Sequence, residues 1–158
     1  MNFDKKEKAL PLIKVVFYLG DDEWHGYETE SVWAEKISGS CCRIQNTPFY
    51  AKGISFEDIV FVKERSNGLW FESVSIAAGH STYRILLDKS IPEAGFQEYW
   101  APIENLGCNY ESTDSGKMFL LAVDVPSNVD IHKVYALFER GEQARIWAFE
   151  EGHCGHSF

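Results

Sequence analysis

The sequence predicts an α+β protein in which a small, bent antiparallel β-sheet or barrel over residues 12–80 packs on a βαββαβ half over residues 81–152. Three observations carry this expectation. About five short β-rich runs fill the first half with no helical periodicity among them. Two stretches of the second half carry apolar residues at helical spacing, each set between β-rich runs. The chain has 158 residues, 45% hydrophobic and 15% aromatic, enough for one packed unit with a shared core. No internal repeat, low-complexity tract or linker divides it.

Residues 1–11, up to Pro11, read as a frayed leader. Leu12 to Gly20 is β-branched and aromatic, hence a strand. Asp21 to Gly26 is a polar turn holding Trp24. Tyr27 to Ser38 alternates as a half-exposed strand, Gly39-Ser40 is a tight turn, and Cys41 to Asn46 returns. Pro48 then breaks the ladder, because proline has no backbone donor, and Gly53 permits a positive φ. Asn46 to Gly53 therefore reads as a framework corner, with Phe49 and Tyr50 over a core opening and Asp58 fixing the start of the next strand. Asp58 to Glu64 and Leu69 to Ala77 form a hairpin around Asn67-Gly68.

In the second half Thr82 to Asp88 is a strand. Ser90-Ile91-Pro92-Glu93 resembles a capping box opening a helix with Phe96, Tyr99, Trp100, Ile103 and Leu106 on its apolar face. Gly107 is its expected C-cap, and Pro102 should kink or split it. Cys108 to Thr113 and Lys117 to Val125 are strands about the turn at residues 114–116. A second helix is expected from Pro126-Ser127-Asn128, with Ile131, Val134, Leu137 and Phe138 as its stripe and Gly141 as its stop. Ala144 to Glu151 is the last strand, and residues 153–158 a polar tail. This order is the split-βαβ, ferredoxin-like plan, with both helices on one face of a four-stranded sheet and the other face free to pack on the first half.

Fifteen lysines and arginines face 24 acids, a net charge of −9, divided as −3 before residue 81 and −6 after it. Such a surface repels phosphate backbones and attracts basic proteins, so the expected partner is a protein and not nucleic acid. No stretch approaches the roughly 20 apolar residues of a membrane span, and the Met1 end lacks the apolar segment of a signal peptide. The expectation is a cytoplasmic protein, a monomer or weak dimer by itself, that does not engage membranes. Cys41, Cys42, Cys108 and Cys154 contain no CxxC pair and are expected as free thiols.

Two constellations could carry chemistry. His153, Cys154 and His156 are possible zinc ligands, but a chain end seldom supplies the rigid surroundings zinc needs, so a polar tail is the expectation. His80 adjoins Ser81, yet neighbours in sequence rarely meet as a catalytic dyad, and no GxSxG, HExxH or phosphate-cradling loop is present. No catalytic residue, metal site or cofactor is therefore assigned. The candidate partner-binding residues are Asp21, Asp22, Glu23, Trp24, Tyr27, Glu28 and Glu30, aromatic anchors rimmed by carboxylates, together with His80; the plainer reading of the stretch is a solvated hairpin tip with Trp24 folded back onto the core.

The runs Trp33-Ala34-Glu35, Asn46 to Gly53, Asp58, Gly79 to Thr82 and Glu150-Glu151-Gly152 resemble the uncharacterised bacterial family numbered as domain of unknown function 4265. The likeness covers roughly residues 12–152. The resemblance transfers no catalytic residues. It implies an intracellular bacterial protein, and members of this kind can occur as antitoxin or immunity partners of secreted toxins. The leading expectation is an immunity or inhibitor protein that binds a basic toxin domain. A small-molecule-binding regulatory domain is the alternative, and an enzyme acting through His80 or the histidine-rich tail comes third.

Overall fold

The structure, a computed structural model, describes residues 11–157. The expected leader at residues 1–11 therefore lies outside the described residues except for Pro11. The fold is mixed α+β with two sheets.

Five strands form the first: β1 (Leu12–Tyr18), β2 (Thr29–Ser38), β3 (Cys41–Ile44), β4 (Ile59–Arg65) and β5 (Gly68–Ile76). Successive strands pair antiparallel, and a short parallel pairing of Val15 and Val16 with Leu69 and Trp70 closes them into a barrel. Period-two alternation sends Val15, Phe17, Val32, Ala34, Cys42, Ile44, Val60 and Val62 inward, where they form a core with Ala51 and Ile54. Register shifts in β2–β3 and β4–β5 supply the local twist that closure of so small a barrel requires.

The second half contributes β6 (Ser81–Asp88), α1 (Glu93–Asn105), β7 (Asn109–Ser115), β8 (Met118–Val125), α2 (Ile131–Gln143) and β9 (Ala148–His153). The sheet order is β7-β8-β6-β9, with every pairing antiparallel. Tyr83, Ile85, Leu87, Leu121, Val123 and Val125 face the helices, which cover them with Phe96, Trp100, Ile103, Val134 and Phe138. Alternation sends Thr82, Arg84, Asp124, Glu111 and Glu150 to the opposite face, toward the barrel, together with the apolar Leu86, Leu120, Ala122 and Ala148, so that face is mixed.

Several local expectations are corrected. The helix after β6 has no capping box: Pro92 is its N-cap with no side-chain bond, and Ser90 N donates to Asp88 Oδ1 instead. The helix continues through Pro102 without a break, held by the burial of Phe96, Trp100 and Ile103. Gly107, at φ +110°, follows it as expected of a terminating glycine. Pro126 to Val129 form a turn, and α2 begins behind Asp130, which accepts from His132 N and Lys133 N. Gly141 does not stop α2 but lies inside it against Trp147, where a Cβ would overlap the indole. The last strand starts at Ala148, because the chain first reverses at Arg145, φ +59°. β9 continues to His153, so the expected tail begins inside a strand.

Candidate functional site

The loop between β1 and β2 builds an aromatic platform. Leu19 N donates to Glu28 O and Gly26 N to Glu23 O, closing the loop, while Tyr18 Oη donates to Asp21 Oδ1 at 2.7 Å. Within it Trp24, His25 and Tyr27 gather around Tyr50 of the framework corner, with ring centroids 4.4–6.4 Å from Tyr50. Trp24 is 58% and Tyr27 55% exposed. Asp21, Asp22 and Glu28 of the same loop are exposed, and Glu23 lies 3.7 Å from Lys52. Sequence reasoning found Trp24, Tyr27 and the acids but missed His25 and Tyr50 as members of the stack. Tyr50 lies 23 residues beyond Tyr27, and only the fold brings its ring to the loop.

Glu30 does something else. Its carboxylate accepts from Phe49 N at 2.7 Å, Tyr50 N at 3.1 Å and Ala51 N at 2.8 Å, so it holds the framework corner and is committed inside the molecule. Asn46 Oδ1 takes Trp33 N, and buried Asp58 takes Ser55 N and Ala78 N, which gives the corner the framework role expected of it. Beneath the corner Arg84, 2% exposed, donates from Nη2 to Ala51 O, and its Nη1 stands 3.7 Å from Glu150 Oε1. Burial pulls the guanidinium pKa downward, opposed by Glu150 and Glu30. Arg84 lines a cavity of about 220 Å³ whose other walls are Trp24, Leu86, Leu120, Ala148, Phe149 and Glu150.

His80 stands at the seam between the halves, its side chain 12% exposed. Its Nδ1 is 2.8 Å from Asp124 Oδ1, its Nε2 is 3.6 Å from Glu57 Oε2, and the Phe56 ring meets it edge-on. Burial pushes the Asp124 carboxyl upward, opposed chiefly by His80. Glu57 adopts φ +68°, an uncommon conformation for a residue with a side chain. Ser81 does not meet His80: its Oγ is 2.6 Å from His156 Nδ1, and His156 Nε2 is 3.0 Å from Pro126 O. His153 Nδ1 is 2.7 Å from the buried Ser55 Oγ, which also meets Thr82 Oγ1. The three histidines thus have separate polar partners, and no metal-ligating group of three or more side chains forms among the described residues. All four cysteines are free; Cys42 and Cys108 are buried, which pushes the Cys108 thiol up to about 12.

A family model described as "Domain of unknown function (DUF4265)" matches residues 30–149. No curated protein matches the chain. Among solved structures the fold is similar to that of a hypothetical protein from Neisseria gonorrhoeae. The TM-score is 0.73 at 21% identity, over 94% of this chain and 98% of the other.

Proposed function

The chain belongs to the DUF4265 family, and we propose that it is an inhibitory binding protein that docks a basic toxin domain on the platform formed by Trp24, His25, Tyr27 and Tyr50. The observation that supports this reading is an aromatic stack with Trp24 and Tyr27 exposed, on a loop that also carries Asp21, Asp22, Glu23 and Glu28, in a molecule of net charge −9. Aromatic anchors supply contact area at small entropy cost, and the loop's carboxylates steer and orient a cationic partner. Glu30 acts from behind by fixing the corner that carries Tyr50, while His80 belongs to the seam and has no contact with the platform among the described residues. The partner is a protein and not nucleic acid, since the same carboxylates repel phosphates. We place the chain in the bacterial cytoplasm as a monomer or weak dimer until it meets its partner. The described residues contain no helix long and apolar enough to cross a membrane. We read residues 81–152 as a ferredoxin-like half, supported by the order β7-β8-β6-β9 with a helix in each crossover.

Co-expression with a toxin domain encoded beside the gene tests this. Restored growth and a co-purifying complex are expected. A Trp24→Ala, Tyr27→Ala double variant that keeps its circular dichroism should bind about 100-fold more weakly. No rescue and no complex with the unaltered chain would end the reading.

A further inference from the structure

Arg84 sits in mid-strand, on the sheet face turned toward the barrel, and is nearly inaccessible to solvent. A buried guanidinium is tolerated when its N–H groups find acceptors, and carboxylates meet its fork geometry best. Here the set is incomplete. Nη2 has Ala51 O, Nη1 has a carboxylate at 3.7 Å, too long for a hydrogen bond, and buried Nε has no hydrogen-bond acceptor among the described residues. The surroundings leave space for the group: a side chain on Gly152 would meet the guanidinium at 2.8 Å. Arg84 lines a partly open pocket with Trp24, Leu86, Leu120, Ala148, Phe149 and Glu150; its lining is mostly apolar, and Trp24, Ala148 and Glu150 are exposed at its mouth. A mostly apolar pocket with one incompletely satisfied charge is the usual form of a small-ligand site.

We propose that this cavity binds a small carboxylic acid with a compact apolar body. The carboxylate occupies Arg84 in place of Glu150, and the body lies against Leu86, Leu120 and Ala148 beside Trp24. A volume of about 220 Å³ lies below the roughly 300–1,000 Å³ of pockets for drug-sized ligands and so limits the ligand to a small acid such as benzoate. Glu150 is 49% exposed and can turn to solvent as the ligand enters. The site stands apart from the partner surface except that both use Trp24, so it can hold even if no toxin partner exists.

Benzoate and isovalerate, with benzamide as the neutral control, are titrated at pH 7 in carboxylate-free buffer by calorimetry and indole fluorescence. Benzoate is expected to bind at least about tenfold more tightly than benzamide and to raise the melting temperature. Glu150→Gln should tighten benzoate binding several-fold by removing the competing carboxylate. Ala148→Phe fills the cavity while leaving Arg84 in place, and should abolish binding in a chain that remains folded. Equal affinity for benzamide, no binding of either acid, or full binding by folded Ala148→Phe would overturn the proposal.

Discussion

Glu28 and Glu30 are two residues apart on the same strand approach, yet Glu28 is exposed while Glu30 accepts three backbone N–H groups from the Asn46 to Gly53 corner. Removing an acceptor that serves several donors costs their unmade bonds. Glu30→Ala should therefore lower stability by about 2–4 kcal/mol, read from urea unfolding, whereas Glu28→Ala should stay within about 0.5 kcal/mol. Asp124 carries a pH prediction. Burial raises its folded-state pKa above the unfolded value, so the folded chain holds this proton more tightly. Its contribution to stability is then most favourable at low pH and falls as pH rises from the ordinary aspartate range through the raised value. His80, Glu57 and His156 face it, and the histidines oppose the shift. The difference in unfolding free energy between the native chain and Asp124→Asn, followed against pH, should show that fall; a flat or rising difference would refute it. Neither residue's role was readable locally, since a carboxylate's environment is set by chain segments remote in sequence.

At the scale of elements, the strands were the most legible. Alternating or continuous apolar runs such as Lys117 to Val125 mark a strand through adjacent residues alone, and the structure has β8 there. Helix ends were less legible. The capping signature at Ser90 was preempted by the Asp88 turn, and the proline of residues 126–128 opened a turn instead of α2. Gly141 is the clearest case. Its sequence position suggests a stop, but its small size serves the approach of Trp147, whose Nε1 donates to Phe138 O at 3.0 Å. Alanine there would add about 1 kcal/mol of helix propensity and still collide with the indole. Gly141→Ala is expected to destabilise by about 2 kcal/mol net, measured by thermal or urea unfolding, with a red-shifted tryptophan emission as Trp147 is displaced.

Across the whole molecule the two halves meet through polar side chains: Arg84 on Ala51, Ser55 with Thr82 and His153, Glu111 on Thr47 N, and His80 on Asp124 and Glu57. The segment after β9 is held within the second half by His156, which ties Ser81 to Pro126 O. His156→Ala should cost about 1–2 kcal/mol in urea unfolding while leaving affinity for a partner at Trp24 and Tyr27 unchanged, because the two sites use different residues. The sequence by itself determined the kinds of element and most of their order, the division near residue 80, the acidity, and the Trp24 loop as a candidate surface. Those properties depend on composition and on periodicities within a few residues. Only the tertiary structure decided which charges are free and which are spent. It added His25 and Tyr50 to the platform, turned Glu30 and His80 inward, and enclosed Arg84 beside an apolar cavity. The physical reason is that an ionisable side chain's burial and partners are set by strands and loops brought together by packing, and a pattern read along the chain carries no term for that distance.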